Sequence, residues 1–244
     1  MKRTLVIGDI HGGLKALRQL LEKANVVVAD KLIFLGDYVD GWSESAAVVD
    51  FLLALKKSHE CIFIKGNHDI WCEEWLSGGT IDTTWLMHGG EETLNSYADT
   101  NAATRNNHLI FFEQMPYYLI DEQNRLFVHA GFTANYGPQK ELNPANVTLD
   151  RTLWETAISL NKHIKPGSIF FPKRLKLFHE IYIGHTPTLY YDTDTPMQAC
   201  DVWNLDTGAA FTGKLSMMDI DTKQYWQSDP VYQLYPDEMG RNKI

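Results

Sequence analysis

Five apolar segments of this chain are each followed, within a few residues, by side chains of the types that bind metal ions. The clusters are Gly8-Asp9-Ile10-His11-Gly12, Gly36-Asp37-Tyr38-Val39-Asp40, Lys65-Gly66-Asn67-His68-Asp69, His129-Ala130-Gly131 and Gly184-His185-Thr186. Aspartate, asparagine and histidine without cysteine are typical ligands of hard or borderline divalent cations such as manganese, iron or zinc. The residue types therefore indicate metal-dependent chemistry, provided that the five clusters meet in space.

Each cluster taken alone has an ordinary structural explanation. An Asp-x-His triplet such as the one from Asp9 to His11 occurs by chance in roughly one of three chains of this size. A single histidine such as His129 or His185 is more often a hydrogen-bonded core residue than a ligand. The run that ends at Asp69 is rarer, on the order of one chain in a thousand by composition. The conjunction of all five clusters favours one shared site over five separate turns.

The elements that must position these clusters alternate between strand and helix over the first part of the chain. Apolar runs predict strands at residues 5–7, 32–35 and 62–64, and apolar spacings of three and four predict helices between them. This order is typical of a parallel sheet with helices packed on its faces. Ligands bind such sheets beyond the carboxyl ends of the strands, which is where the metal-binding residue types occur.

The remainder of the chain predicts a helical insertion followed by further strands. Residues from about 71 to 116 have an irregular helical pattern, and residues 139–172 are loop-rich with helical pieces. Strands are predicted at 126–128, 181–183 and 202–205, followed by a hairpin over 215–226. The polar tail after Ser228 is expected on the surface. We expect residues 1–244 to form a single domain.

Composition restricts the classes of function. The 244 residues contain 22 Lys and Arg against 31 Asp and Glu, and the net charge of −9 argues against nucleic acid or a membrane surface as a partner. No run approaches the length of a membrane span, and the first residues lack the apolar core of a signal peptide. The three cysteines are too widely spaced for a disulfide framework. We therefore predict a cytoplasmic protein, and the oligomeric state is left open.

The clusters together resemble the motifs of the calcineurin-like metallophosphoesterases, and within them the phosphoprotein-phosphatase branch with its bacterial and phage-type members. The family pattern GD-x-HG, GDYVDRG, RGNHE/D, HA/GG and GH-T-P is matched at residues 8–12, 36–41, 65–69, 129–131 and 184–187. Residues 85–97 and 204–208 are similar to two further segments of bacterial members. The resemblance extends from Thr4 to about Ser216. It implies an α/β fold of four layers, α-β-β-α, with a helical insertion beside the site.

The same resemblance implies a role for each residue of the site. One metal ion would be bound by Asp9, His11 and Asp37, and a second by Asp37, Asn67, His129 and His185. Asp37 would bridge the two divalent cations, for which we expect manganese, with iron or zinc as alternatives. A hydroxide between them would attack phosphorus directly, without a phosphoenzyme. His68, oriented by Asp40, would protonate the leaving oxygen.

One position departs from the family pattern. Gly41 stands where the family motif has an arginine that binds the substrate phosphate, and Lys65 stands in place of a second arginine. Lysine keeps the charge but lacks the planar guanidinium that binds phosphate through two parallel hydrogen bonds. Arg151 is our first candidate for a replacement, and Arg174 is the second. Four nearby tryptophans are interpreted as core packing of the insertion in preference to a nucleobase platform: Trp42, Trp71, Trp75 and Trp85.

These observations predict a metal-dependent phosphoester hydrolase. We expect phosphomonoesters as substrates, chiefly phosphoserine and phosphothreonine in proteins, with small phosphoesters also possible. The first alternative is a symmetrical dinucleoside-tetraphosphate hydrolase, which would use the same metals on a phosphoanhydride. An alternative of another class is a non-catalytic protein-binding scaffold with the same fold. The intact ligand positions argue against the scaffold, whereas the missing arginine argues for it.

Overall fold

Two five-stranded β-sheets form the centre of the molecule over residues 2–242, which the computed structural model describes. The strands are β1 (Thr4–Ile7), β2 (Lys31–Phe34), β3 (Glu60–Phe63), β4 (Tyr118–Ile120), β5 (Arg125–Val128), β6 (Glu180–Ile183), β7 (Met197–Ala199), β8 (Val202–Asn204), β9 (Ser216–Asp219) and β10 (Tyr225–Gln227). The first sheet has the order β10-β9-β1-β2-β3, and the second has the order β4-β5-β6-β8-β7.

Helices cover the outer faces of the sheets and one end of the molecule. They are α1 (Leu14–Lys23), α2 (Ser45–Leu55), α3 (Asn67–Leu76), α4 (Thr83–Trp85), α5 (Glu91–Ser96), α6 (Ala102–Glu113), α7 (Thr152–Ser159) and α8 (Val231–Leu234). The stretch predicted as a helical insertion, about 71–116, consists of α3 to α6, and its first helix already begins at Asn67. None of the helices within residues 2–242 is both long and apolar enough to cross a membrane.

The predicted β-α-β-α-β order of the first part of the chain is confirmed. β1 pairs in parallel with β2, and β2 pairs in parallel with β3, so their carboxyl ends lie at the same edge. α1 packs on this sheet through Leu14, Leu17 and Leu20, which recur at helical spacing and are buried. The second sheet contributes β5, β6 and β8 as parallel neighbours.

The strands alternate their side chains between two different apolar cores. In β1, Leu5 and Ile7 pack among the helices on the outer face, whereas Val6 packs between the two sheets. In β5, Phe127 likewise lies between the sheets, and its neighbours on either side face the layer that contains α7. Because side chains of a strand alternate with period two, each apolar strand serves both cores. The result is the four-layer α-β-β-α arrangement that the sequence predicted.

The tail after Ser228 lies on the surface as predicted, with most of its described residues exposed or half-buried, but apolar side chains anchor it in a way that the sequence did not indicate. Val231 and Tyr235 are buried, and the ring of Tyr235 stacks on that of Trp42 with 5.2 Å between centroids. The tail has few apolar residues, but these two lose their contact with water by docking on the first sheet's helical layer. The tail is thereby held beside the loop that follows β2.

Candidate metal centre

The residues predicted to bind metal meet at the carboxyl edge of the two sheets. A cavity of about 280 Å³ opens there. Four of the predicted ligands and the predicted acid His68 line it; the four ligands are His11, Asp37, Asn67 and His185. Asp9 and His129 lie directly behind them, with less than 3% of each residue exposed. The five clusters of the sequence therefore form one site.

Asp37 occupies the middle of this site. Its Oδ2 lies 3.6 Å from His11 Nε2, 3.3 Å from His129 Nε2 and 4.0 Å from His68 Nε2. Two groups of side chains are placed to hold a cation, and both include Asp37: His11, Asp37 and His68 in one, and Asp37, His129 and His185 in the other. The shared carboxylate is the geometry expected of a dinuclear centre. The first group contains His68 at the place where the resemblance implies Asp9.

The histidines present the nitrogen that a metal ligand requires. Nδ1 of His129 donates to the Leu35 carbonyl at 2.9 Å, and Nδ1 of His11 donates to the Asp40 carbonyl at 3.1 Å. With Nδ1 protonated, Nε2 keeps a lone pair that faces the carboxylates. Burial lowers the pKa of His11 and of His185 well below the usual value, and the neighbouring His129 lowers that of His185 further. Both rings are therefore held in the neutral form that binds metal.

Asp9 shows the clearest need for a cation. Its Oδ2 accepts a hydrogen bond from the His185 amide at 2.9 Å, whereas its buried Oδ1 has no hydrogen-bond partner among the described residues. Burial raises the pKa of Asp9 well above its ordinary value, and the charge of Asp206 raises it further. A cation at Oδ1 would satisfy this oxygen and favour the ionised form. The donor set thus fits a divalent metal.

His129 and Asp37 shift each other's titration in opposite directions. Burial alone would lower the pKa of His129, but the charge of Asp37 and its hydrogen bond raise it to about 10. A cation bound at His129 Nε2 would take the place of the proton to which this pKa refers. Burial likewise opposes ionisation of Asp37, yet the charges of His129 and His68 hold its pKa well below the ordinary value. Strongly shifted groups in a cleft are characteristic of functional sites.

Two glycines allow the carboxylates to enter the site. A β-carbon on Gly184 would lie 2.0 Å from Asp9 Oδ1, and one on Gly66 would lie 2.2 Å from Asp37 Oδ1. Ordinary contact between a carbon and an oxygen requires more than 3 Å, so any side chain at these positions would displace a predicted ligand. The glycines of the sequence clusters therefore allow the backbone to lie close to the carboxylates of the site.

The turns that carry the ligands are themselves strained. His11, Asp37, Asp40 and His185 have backbone φ angles of 52°, 53°, 72° and 65°. Residues other than glycine seldom adopt this left-handed region, and each instance costs about 1–3 kcal/mol. Strain of this kind concentrates at functional sites, where the surrounding structure must compensate for it.

Asp69 supplies part of that compensation. Its carboxylate accepts hydrogen bonds from three backbone amides: Gly66 at 2.8 Å, Asp37 at 2.9 Å and Tyr38 at 2.9 Å. These bonds join the loop after β2 to the start of α3. The His68 amide adds a bond of 3.0 Å to Asp37 Oδ1. The network sets the distance between the predicted bridging carboxylate and the residues of α3.

His68 and Asp40 form a buried pair. His68 Nδ1 and Asp40 Oδ2 are 2.6 Å apart, and the same oxygen accepts a hydrogen bond of 2.8 Å from Trp85 Nε1. The other oxygen of Asp40 accepts from Thr93 Oγ1 at 2.6 Å. With its carboxylate held from three sides, Asp40 fixes the ring of His68 so that Nε2 faces the cavity. A ring held in this way can deliver a proton to a bound ester.

The predicted phosphate-binding residues are placed differently from one another. Arg151 lines the cavity. Lys65 is buried against Glu73 in an ion pair, and Arg174 donates hydrogen bonds to the Phe132 carbonyl and to Thr152 Oγ1. Among the described residues that line the cavity, neither Lys65 nor Arg174 is present. Both side chains are committed to partners outside it.

Two charged residues that the sequence analysis did not propose also line the cavity, Asp206 and Arg241. Asp206 follows β8 closely, and burial raises its pKa to about 6. Asp206 follows the end of a strand, as the proposed ligands do, so the pattern of an apolar strand followed by a metal-type side chain could have identified it. Arg241 lies in the tail, where no pattern in the sequence pointed to the site.

The four tryptophans separate into two groups. Trp42 and Trp85 are fully buried, and Trp75 packs against Trp85 with ring centroids 6.0 Å apart. The core-packing interpretation describes these three. Trp71 instead lines the cavity, where its ring is nearly parallel to that of His88 at 6.0 Å. Aromatic surface is therefore present at the rim of the site.

Comparison with known proteins agrees with this geometry. The profile of the family described as calcineurin-like phosphoesterase matches residues 2–209. The chain belongs to this family. A calcineurin-like phosphoesterase is a metal-dependent hydrolase, and the two His/Asp groups around Asp37 are consistent with its dinuclear centre. The family and the fold class inferred from the motifs are thus confirmed.

Two sequence relatives of this calcineurin-like phosphoesterase are named for a dinucleotide substrate. The asymmetrical bis(5'-nucleosyl)-tetraphosphatase PrpE of Anoxybacillus flavithermus is 25% identical over 229 residues, which are 87% of this chain and 88% of that protein. The PrpE of Bacillus thuringiensis is 28% identical over 231 residues, with 87% and 88% covered. A protein serine/threonine phosphatase of Saccharomyces cerevisiae shares the fold, with a TM-score of 0.58, 14% identity and coverage of 93% and 80%.

Proposed function

We propose that this phosphoesterase hydrolyses bis(5'-nucleosyl) tetraphosphates asymmetrically, releasing a nucleoside triphosphate and a nucleoside monophosphate. The observation that carries the proposal is a single cavity in which metal-type ligands, two arginines and an aromatic rim converge. The names of the PrpE relatives support it. The alternative drawn from the sequence named symmetrical cleavage, whereas these relatives are named for the asymmetrical reaction.

The rim of the cavity matches the two chemical parts of such a substrate. Aromatic side chains that could stack on a nucleobase are contributed by Trp71, His88, Tyr190 and Phe211. Tyr190 is 63% exposed, so its ring is accessible from solvent. A polyphosphate needs several positive groups along its length, and Arg151 and Arg241 lie on the same cavity.

The proposed metal ligands are those implied by the motifs. Asp9, His11 and Asp37 would hold one cation, and Asp37, Asn67, His129 and His185 would hold the other. When bound, two divalent cations, for which we propose manganese, would polarise the phosphoryl group and lower the pKa of water. Asn67 Oδ1 lies 3.2 Å from His129 Nε2, and this short distance supports its inclusion among the proposed donors. Asp40 and Asp69 keep the donors in position.

The remaining catalytic role falls to His68. Its Nε2 faces the cavity and would donate a proton to the departing oxygen, while Asp40 holds Nδ1. In an anhydride the leaving group is a nucleotide phosphate, which is a weak base and needs little protonation. A serine or threonine alkoxide needs much more. The His68–Asp40 pair is therefore the specific observation that favours a second candidate, the serine/threonine protein phosphatase.

One comparison of substrates separates these functions. The protein loaded with manganese is incubated with diadenosine tetraphosphate and, in parallel, with a phosphoserine peptide, and the products are separated by chromatography. We expect ATP and AMP in equal amounts and a higher kcat/KM for the dinucleotide. Two molecules of ADP would show symmetrical cleavage, and a preference for the peptide would show the protein phosphatase. Bound metal without turnover of either substrate would revive the scaffold hypothesis.

An Asp37→Asn variant serves as the control for the site. It removes the charge that both proposed cations share while keeping nearly the same volume. All hydrolysis that belongs to the metal centre should disappear in this variant. Activity that persists would come from a contaminating enzyme.

A further inference from the structure

The missing arginine of the phosphate-binding motif leaves a space that another part of the chain occupies. A β-carbon on Gly41 would lie 3.2 Å from Cγ of Arg241, and one on Gly89 would lie 3.3 Å from the same atom. The two glycines face each other, since the Gly41 amide donates to the Gly89 carbonyl at 3.2 Å. The side chain of Arg241 thus runs along a surface that both glycines leave open.

The backbone of the tail is fastened at this place. The Arg241 amide donates to the Ala210 carbonyl at 2.9 Å. The preceding Gly240 has φ 57°, and a β-carbon there would lie 2.7 Å from the ring of Trp42. Trp42 directly follows Gly41, and its indole donates to the Ala209 carbonyl at 2.8 Å. Gly41, which stands in place of the motif arginine, is therefore followed directly by Trp42, the residue on which the tail packs.

Among residues 2–242, the partners of the Arg241 guanidinium are weak, so we treat the group as available for a ligand. Its central carbon lies 5.2 Å from the centroid of the Phe211 ring, and its Nη2 lies 3.3 Å from His88 Nδ1. The group lines the same cavity as Asp37 and His68.

We propose that Arg241 binds the substrate's phosphoryl oxygens in place of the arginine that the family motif has at the position of Gly41. The inference rests on the proposed phosphohydrolase function, because it assigns a residue to that same site. A planar guanidinium offers two parallel hydrogen bonds to a phosphate, which matches a phosphomonoester or a polyphosphate alike. Arg151, which also lines the cavity, would act on it together with Arg241.

The test compares two arginine variants that differ in their distance from the site. Arg241→Gln removes the guanidinium, and Arg18→Gln is the matched control. Arg18 lies on α1 outside the residues that line the cavity, and its guanidinium is 5.1 Å from the Phe51 ring, much as that of Arg241 is from Phe211. Both variants lose one charge and one cation–π contact. The probes are inorganic phosphate, titrated calorimetrically into the manganese-loaded protein, and p-nitrophenyl phosphate.

We expect Arg241→Gln to weaken phosphate binding and to lower kcat/KM by about 10- to 100-fold, the range for removal of a hydrogen bond to a charged group. Arg18→Gln should match the wild type, and both variants should bind the same number of manganese ions. Arg241→Lys should retain part of the phosphate affinity, since it keeps the charge but lacks the planar guanidinium. Methylguanidinium added to Arg241→Ala should restore activity, which loss of tail docking alone would not allow.

Other results would overturn the inference. Phosphate affinity and kcat/KM of Arg241→Gln equal to those of Arg18→Gln would remove Arg241 from the binding site and leave the proposed hydrolase standing. If the wild type turns over no phosphoester, the proposed function fails, and the calorimetric comparison still decides whether Arg241 binds phosphate. A drop in thermal stability without rescue by methylguanidinium would assign Arg241 a structural role.

Discussion

The close contact between Gly184 and the carboxylate of Asp9 leads to a specific prediction for Gly184→Ala. The new methyl carbon would lie 2.0 Å from Asp9 Oδ1 and 3.0 Å from the carboxyl carbon. To reach ordinary contact, the carboxylate must retreat by more than 1 Å. Gly184 has no positive φ angle, so alanine would cause no backbone strain there. The effect of the substitution would come from the steric clash with Asp9.

The displacement determines the expected magnitude. Moving Asp9 away from Gly184 also breaks the bond of 2.9 Å from the His185 amide to Asp9 Oδ2, and a buried acceptor left without its donor costs about 1–3 kcal/mol. Loss of an orienting partner lowers metal affinity by about 10- to 100-fold, and a ligand misplaced by 1 Å can lower the rate by about 100-fold. We therefore expect one manganese to bind about 100-fold more weakly than in the wild type, and kcat on p-nitrophenyl phosphate to fall by a similar factor.

The assay is a calorimetric titration of the metal-free protein with manganese, followed by turnover at saturating metal. Gly167→Ala is the matched control, because a β-carbon there meets no atom within 4 Å. It should bind two manganese ions as the wild type does. If Gly184→Ala also bound two ions with unchanged affinity and turned over at the wild-type rate, Asp9 would not be a ligand and the proposed metal centre would be wrong.

Three further predictions concern the same site. His68→Asn should slow hydrolysis of a serine phosphate by about 10²- to 10⁴-fold, the usual contribution of a general acid, and should slow p-nitrophenyl phosphate or a dinucleotide far less, because their leaving groups are weak bases. Asp69→Asn should lower the free energy of unfolding by about 1–3 kcal/mol in urea denaturation, because an amide NH₂ would face one of the three backbone donors that Asp69 accepts. Dialysis against a chelator should abolish hydrolysis, and two equivalents of manganese should restore it.

Matched controls exist for the two substitutions, and the chelation experiment has an outcome that would contradict it. The exposed His163→Asn should leave all substrates unaffected, and equal slowing of every substrate by His68→Asn would remove its role as an acid. Asp82 is an exposed residue that accepts a single bond from the Thr84 amide, so Asp82→Asn should destabilise the protein less than Asp69→Asn. If zinc or iron restored activity after chelation and manganese did not, our choice of metal would be wrong.

Much of the site could be predicted because its residues follow local rules. Each proposed ligand lies within four residues of the end of an apolar strand, and in parallel sheets such positions converge on one edge. The strands β1, β2 and β3 and the helices between them were predicted within a few residues, since their apolar patterns are regular. The pairing of His68 with Asp40 was inferred from the family motif, and the structure places the two side chains 2.6 Å apart.

Other features had no local signal. The edge strands β4 and β7 contain three residues each, too few for a recognisable alternation, and they form by pairing antiparallel to β5 and β8. The commitment of Lys65 to Glu73 and of Arg174 to a carbonyl depends on which neighbours the folded chain supplies. The sequence motifs describe the metal centre and contain little information about the rim of the cavity. The main substrate class predicted from the sequence, phosphoproteins, therefore differs from the dinucleoside tetraphosphates that we propose.

The sequence by itself therefore determined the reaction class of this phosphoesterase and predicted its ligand set, because metal chemistry depends on residue types that stand at the ends of single strands. Tertiary structure decided which cationic side chains line the cavity, since this depends on where distant segments dock. Arg241 reaches the position beside Gly41 because burial of Val231 and Tyr235 draws the tail across the first sheet's helical layer. Such a contact arises from the path of the whole chain, which no window of the sequence contains.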